Sequence, residues 1–241
     1  MDVKTEAIVL QSKDYKDNDK LLTLFSPDLG KITAGIRGVK KPKAKLAFAA
    51  QPFCFAEYVL AEKGGRYTVT GAYLHESFFD LRTDITRFYA ACAAAEICQT
   101  LAQENEAHEG LFIAFINCLK SLCLAQDDCT EALLSFALVA LHESGFTIDL
   151  GYLEECDGDV GEKIWFDFSD GRFCPFERCT QGERASLSTY HTLRKCAGLT
   201  YDEDKLPGGK KRALRLIKAY LSEKTDAKSE NLGEYVRMAE E

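Results

Sequence analysis

The chain lacks the long apolar run that a membrane-spanning helix would need. No stretch approaches the roughly 20 consecutive apolar residues of such a helix, and the opening MDVKTEAIVL does not have the layout of a secretory signal peptide. These absences argue against a membrane protein and an exported protein. The ten cysteines are scattered along 241 residues without a tight disulfide framework, which is typical of a reducing compartment. We therefore predict a cytoplasmic protein.

The residue patterns of common catalytic and nucleotide-binding sites are also missing. No Ser/His/Asp or Cys/His arrangement is evident, and the Gly208–Gly209 pair does not fit the G-x-x-x-x-G-K-[ST] spacing of a phosphate-binding loop. We therefore predict a protein that is not an enzyme. The alternative is a metal-dependent enzyme centred on Cys156, Cys174 and His191, for which the sequence offers little.

The cysteine pairs that would hold structural zinc are incomplete between residues 150 and 180. A cysteine before a turn, a predicted strand pair and two later cysteines give this segment the layout of a zinc ribbon. A ribbon has C-x-x-C at both turns, but here the turns read Cys156-Asp-Gly-Asp159 and Cys174-Pro-Phe-Glu177. One interpretation is a metal site from Cys156, Cys174, Cys179 and one of Asp159, Glu177 or His191. The interpretation that we favour is that metal has been lost and aromatic packing holds the turn, so no cofactor is expected and zinc is doubtful.

Acidic residues are absent between Asp28 and Glu57, although the net charge of the chain is −8. This stretch carries six bases, namely Lys31, Arg37, Lys40, Lys41, Lys43 and Lys45. A concentrated positive loop on an acidic protein most often contacts phosphate. The alternative is a solvated loop whose lysines only keep the protein soluble.

A second acid-free stretch runs from Lys205 to Lys218 and holds six bases. Helical spacing places an apolar face opposite a basic face that carries Lys211, Arg215 and Lys218. Within this stretch, Lys211, Arg212 and Arg215 are weaker candidates for contacts to nucleic-acid phosphates. An ordinary amphipathic helix with a solvated basic face explains the pattern equally well.

Charge and periodicity both change near residue 80. Residues 1–80 hold 12 Lys+Arg against 10 Asp+Glu, whereas residues 81–241 hold 18 against 28. The first part is predicted to form five strands with a long gap before the fourth, at Thr5–Leu10, Lys20–Phe25, Lys31–Arg37, Phe53–Ala61 and Arg66–Leu74. This spacing fits a small Greek-key barrel, with the OB-fold as the first candidate and an SH3-like barrel as the alternative.

Residues 81–241 are predicted to form a helical domain. The predicted helices are Asp84–Gln103, Gly110–Leu124, Thr130–Glu143, Ser186–Cys196 and one within residues 206–224. Thr130 is expected to act as an N-cap and Gly145 as a C-terminal stop. The polar tail from residue 229 is expected to fray. The fold class is therefore α+β, with an OB-fold barrel (1–80), a helical domain (81–241) and a zinc-ribbon-like insertion (150–180).

Three segments resemble the bacterial RecO recombination mediators. They read TEAIVLQSKDYKDNDKLLTLFSPDLGKITAGIRGVKKPKAKLAFAAQPF, LVALHESGFTIDLGYLEEC and LRLIKAYLSEK, and they cover nearly the full length in the family's order. The resemblance implies an N-terminal OB-fold, a helical domain and a cysteine-bearing insertion. The chain departs from the zinc-bearing members at Asp159 and Glu177, where those members have cysteine.

The resemblance also implies a function. Members of the family load recombinase onto single-stranded DNA coated with single-strand-binding protein, and they anneal complementary strands. The implied partners are single- and double-stranded DNA, RecR and the acidic C-terminal tail of single-strand-binding protein. There are two alternatives: an RNA-binding OB-fold protein of the translation machinery, which would use the same basic loop, and a scaffold whose acidic helical part binds other proteins.

Overall fold

Residues 2–76 form a closed five-stranded barrel in the computed structural model, which describes residues 2–126, 128–156, 164–179, 182–199 and 209–239. The strands are β1 (Asp2–Tyr15), β2 (Asp19–Ser26), β3 (Gly30–Ile36), β4 (Phe55–Lys63) and β5 (Arg66–Glu76). Their order around the barrel is β1-β2-β3-β5-β4, and β1 closes it by pairing with β4. Only β3 and β5 run parallel; the other neighbours are antiparallel. The predicted OB-fold is confirmed.

Strict alternation of side chains builds the barrel core. Leu22 and Leu24 on β2 face inward, as do Ile32, Ala34 and Ile36 on β3, and all five are buried. Leu22 lies opposite Ala34 in the ladder, so the next residues on each strand point outward. The hydrophobic period of two in the sequence therefore places one face of each strand in the core.

Strand β1 is longer than the sequence predicted. The predicted strand ended at Leu10, but Lys13, Asp14 and Tyr15 remain paired with β2, so the turn covers only residues 16–18. Lys16 in that turn has a φ of 58°. Polar residues at a strand end look like a loop in sequence, whereas here the ladder hydrogen bonds continue through them.

One helix outside the barrel belongs with it. The chain divides into two compact units, residues 1–84 with 102–123 in one and the described residues of 85–101 and 124–241 in the other. Helix α2 (Glu109–Leu124) brings the Phe112 ring to 5.7 Å from that of Phe25 and 5.8 Å from that of Phe55. Gly30 (φ 64°) allows the segment just before α2 to pack closely against β3, because a Cβ at Gly30 would collide with the Glu106 backbone. The predicted boundary near residue 80 stays a prediction.

The second unit is mostly helical. Its helices are α1 (Ile85–Leu101), α3 (Thr130–Glu143), α4 (Tyr152–Glu155), α5 (Leu187–Cys196), α6 (Gly209–Thr225) and α7 (Glu230–Met238). Helix α1 is buried along most of its length, as its apolar sequence predicted, and it packs against α3 and α7. Gly145 ends α3 with a φ of 81°, as expected.

Two local predictions in this unit are wrong. Thr130 is the first residue of α3 and not its N-cap; its N–H donates to Asp128 Oδ1 at 2.8 Å, so an aspartate two residues earlier satisfies the helix start. The chain after residue 229 does not fray over the described residues, because Leu232, Tyr235 and Val236 are buried on one face of α7. Glu96 of α1 caps α7: its carboxylate accepts the N–H groups of residues 230, 231 and 232 at 2.9–3.1 Å.

The insertion contains a small antiparallel sheet of order β7-β6-β8. Strands β6 (Ile164–Asp167) and β7 (Arg172–Pro175) are the predicted pair, and β8 (Gly182–Ala185), which the sequence did not indicate, pairs with the other edge of β6. The Phe166 ring is 4.9 Å from that of Phe173 and 5.5 Å from that of Tyr220 on α6. Aromatic packing therefore attaches this sheet to the helices.

Candidate nucleic-acid interface

The basic loop that follows β3 is held in place by the β1–β2 turn. The Gly38 N–H donates to Asp19 Oδ1 at 2.8 Å, and the Lys40 N–H donates to the Asn18 carbonyl at 3.1 Å. Val39 between them is buried. Tight turns then join Lys41 to Gly38 and Ala44 to Lys41, each through a backbone hydrogen bond. The loop is therefore presented on the barrel by fixed backbone contacts.

Five of the six predicted bases lie together on this loop. Arg37, Lys40, Lys41, Lys43 and Lys45 are all exposed. Lys31 lies at the other end of β3, six residues or about 20 Å along the strand from Arg37. Its backbone N–H donates to the Gln103 carbonyl at 3.2 Å, and its carbonyl accepts the Asn105 N–H at 3.1 Å. The structure therefore separates Lys31 from the other bases.

The basic loop contains no acidic residue, but acidic residues from other parts of the barrel lie next to it. Lys40 Nζ lies 2.8 Å from Asp14 Oδ2, and Lys20 Nζ lies 3.6 Å from Asp14 Oδ1. The hydrogen bond from Lys40 lowers the pKa of the Asp14 carboxyl, so this group stays ionised. A shallow cavity of about 410 Å³ beside the loop is lined by Asp17 and Asp19 as well as by bases. Sequence reasoning missed these acids because they come from the neighbouring β1–β2 hairpin.

The second set of candidates lies in the other unit, on α6. Lys211, Arg212 and Arg215 are exposed. Their neighbour Lys210 forms ion pairs with Asp128 at 2.7 Å and Glu131 at 2.8 Å. Burial alone would raise the pKa of Asp128, but hydrogen bonds from Lys210 and Thr130 outweigh it and the pKa is lowered. Part of the positive charge of this helix is therefore neutralised within the protein.

A groove of about 820 Å³ runs between α6, the start of α5 and the small sheet. Arg184 of β8 joins Arg212 and Arg215 along it, and Glu183 is the only acid among the described residues of its lining. Phe168, Leu187, Leu216 and Ala219 provide apolar surface. This groove is lined by both apolar and cationic side chains, and the sequence did not reveal it because its walls come from three separate segments.

The cysteines of the insertion are engaged in other contacts. Cys156 Sγ is 3.3 Å from the Tyr152 carbonyl oxygen and 3.6 Å from Arg178 Nη1. Cys174 is buried, and burial together with a hydrogen bond to Cys179 raises its pKa to about 12.

Within the described ranges, no group of three or more Cys, His, Asp or Glu side chains could hold a metal ion. Asp159, one of the proposed ligands, lies outside the described residues. His191 is half-buried on α5, and burial followed by the charge of Arg194 lowers its pKa. The described residues therefore do not fit a zinc site, and whether the protein carries zinc stays a prediction. Among the same residues, no helix is both long enough and apolar enough to cross a membrane.

These features define the class of protein: an OB-type barrel with a basic loop, joined to a helical unit. Two family models match the chain, "Recombination protein O N terminal" over residues 1–78 and "Recombination protein O C terminal" over residues 82–231. The chain belongs to the RecO family of bacterial DNA repair proteins.

Individual relatives agree with this assignment. A protein from Desulfitobacterium hafniense is 34% identical over 188 residues, which cover 77% of this chain and 67% of the relative. One from Clostridium perfringens is 33% identical over 196 residues (80% and 78%), and one from Acetivibrio thermocellus is 27% identical over 186 residues (77% and 73%). All three are named DNA repair protein RecO.

Proposed function

We propose that this protein is a non-enzymatic recombination mediator that binds single- and double-stranded DNA, anneals complementary strands and helps to load recombinase onto DNA coated by single-strand-binding protein. The observation that carries this proposal is the loop with Arg37, Lys40, Lys41, Lys43 and Lys45, which is fixed on an OB-type barrel in a member of the RecO family. The expected ligand contacts are phosphates, so binding would not depend on base sequence.

Annealing requires little chemistry beyond charge screening. Two complementary strands repel each other through their phosphates, and lysines and arginines that contact one backbone reduce this repulsion. Bases that are not themselves hydrogen-bonded to the protein remain free to pair. The four exposed lysines of the loop suit this task, because their long side chains carry compact charges that adapt to an irregular backbone.

The acidic tail of single-strand-binding protein is the protein ligand that we propose for the groove beside α6. Support comes from the lining, whose described residues include Arg184, Arg212 and Arg215, a single acid, Glu183, and several apolar side chains. Isothermal titration calorimetry with a tail peptide tests this. Arg184→Gln and Arg212→Gln together should weaken peptide binding, whereas Arg66→Gln with Lys63→Gln on the barrel should not. If both variants bind the tail peptide with equal affinity, the groove is not its binding site.

RecR is the other proposed protein partner, and this proposal rests on membership of the family. A pull-down with purified RecR, followed by a measured affinity, tests it directly. The absence of binding at high concentration would withdraw this partner without affecting the DNA-binding proposal.

The decisive test of the function is an annealing assay with fluorescent complementary oligonucleotides, with and without single-strand-binding protein. The protein should accelerate pairing in both cases, and added salt should suppress the acceleration. RNA and DNA oligonucleotides of equal sequence should be compared in the same assay, because an RNA-binding protein would prefer RNA. Failure to bind DNA at low salt would overturn the proposal and would favour the scaffold interpretation.

A further inference from the structure

The outer surface of the barrel has an open region next to the basic loop. In the β1–β2 ladder, Lys13 lies opposite Leu21 and Tyr15 opposite Asp19; in the β2–β3 ladder, Leu21 lies opposite Gly35. Because Leu22 and Ala34 face the core, these neighbours all point to the outside. Lys13, Tyr15, Leu21 and Gly35 therefore share one patch of the outer face.

The apolar residues of this patch are uncovered, unlike two outward-facing phenylalanines of the same barrel. Phe25 and Phe55 are packed against Phe112 of α2, and Phe25 is fully buried. Tyr15 is 51% exposed and Leu21 is 37% exposed. Two neighbouring apolar side chains are thus left open where a ligand could bury them.

The patch has no side chain on its β3 side. Gly35 has no side chain, and the nearest heavy atom to a Cβ built there is the Tyr67 carbonyl oxygen at 4.0 Å. Since a larger residue would fit without collision, the fold does not require glycine at this position. The missing side chain leaves room for a planar group to lie beside Leu21.

Positive charge borders the patch. Lys13 is exposed beside Leu21, and exposed Arg37 follows β3 two residues after Gly35. Lys16 Nζ lies 5.2 Å from the centre of the Tyr15 ring. Asp19, an acid on the same face, already accepts the Gly38 N–H. An aromatic ring, an exposed leucine and flanking cations match unstacked bases joined by phosphates.

We propose that Tyr15, Leu21 and Gly35 form a base-stacking platform that selects single-stranded over duplex DNA. This inference rests on the proposed DNA-binding function and adds a specificity element to it. The loop lysines contact phosphates in either form of DNA, whereas only an unpaired strand can turn its bases onto Tyr15. Stacking tolerates any sequence because every base has a planar face.

The test compares the affinity of the full chain for single-stranded oligothymidylate and for a duplex of equal length, by fluorescence anisotropy across salt concentrations. Tyr15→Ala should weaken single-strand binding about tenfold, with duplex affinity and the salt dependence unchanged. Tyr15→Phe keeps the ring and should bind as the wild type does. Tyr73→Ala is the matched control, because Tyr73 is a barrel tyrosine that is 62% exposed.

Gly35→Val gives an independent second variant. It should lower single-strand affinity by filling the space beside Leu21, and it should fold normally, because the site is open and valine favours strands. Circular dichroism and thermal unfolding check the fold. Photocrosslinking with a 5-iodouracil oligonucleotide, mapped by mass spectrometry, should locate a base on Tyr15 in the wild-type protein.

The outcomes separate the platform from the wider function. If the wild type binds both DNA forms, and Tyr15→Ala leaves both affinities unchanged or lowers both equally, the platform proposal is wrong while the loop proposal stands. Crosslinks that never fall on Tyr15 would overturn it as well. If the wild type binds neither DNA form, both proposals fall.

Discussion

Three lysines of the basic loop offer the sharpest test of how the protein contacts DNA. Lys41, Lys43 and Lys45 are exposed on a loop whose backbone is fixed by the β1–β2 turn. Replacing all three with glutamine removes their charge and keeps side chains of similar length. The loop should therefore stay in place, and stability should change by no more than about 0.5 kcal/mol.

The expected change can be worked out from counterion release. Each phosphate contact contributes about 0.7 to the slope of log affinity against log salt for single strands and about 0.9 for duplex DNA. Loss of three contacts should flatten the slope by about 2.1 for single strands and about 2.7 for duplex. Lys40→Gln alone should have a smaller effect than Lys41→Gln, because Lys40 is already paired with Asp14 at 2.8 Å.

Fluorescence anisotropy titrations at four or more salt concentrations measure these slopes. The matched control exchanges Lys4, Lys63 and Lys120 for glutamine, which removes the same charge from exposed sites of the same unit outside the loop. If the loop variant keeps the wild-type slope, its lysines do not contact phosphate, and Lys211, Arg212 and Arg215 become the leading candidates. If the control flattens the slope as much as the loop variant does, the change reflects a general loss of charge and not a phosphate-binding site.

Three further outcomes are expected. Asp14→Asn should raise DNA affinity and steepen the salt slope by about 0.7–0.9, because it removes an ionised carboxylate and releases Lys40; unchanged binding would place this pair outside the interface. Glu96→Ala should lower the free energy of unfolding by about 1–2 kcal/mol, as measured by denaturant titration, because three N–H groups at the start of α7 lose their acceptor. Purified protein should carry less than one zinc per chain by elemental analysis, and chelation should leave its thermal midpoint unchanged; a large drop would reveal a structural metal, which contributes directly to folding.

The strands and most helices could be predicted from periodicity, because local patterns determine them. Inward-facing Leu22 and Leu24 alternate with outward residues, and the apolar α1 is buried as expected. Strand β8 could not be found in this way, because GERA has neither strong alternation nor β-branched residues. Its pairing with β6 comes from tertiary structure.

The basic residues of the site could be predicted from the sequence, but the residues that contact them could not. A run of bases is visible in sequence, so the loop after Ile36 stood out at once. Its partner Asp14 is 26 residues away from Lys40 and meets it only because β1, β2 and β3 lie side by side. Exposure of Tyr15 depends equally on what packs nearby, and a single sequence does not give that.

The Phe112 contacts have a consequence for how the polypeptide is made. A fragment that stops at residue 84 would contain all five strands, yet the outward rings of Phe25 and Phe55 would lose their cover. On a ribosome, the growing chain passes through that state before α2 emerges. Intermediates with exposed hydrophobic surface of this kind aggregate or bind chaperones. Recombinant production of the barrel alone should therefore give insoluble material unless the piece extends through the end of α2.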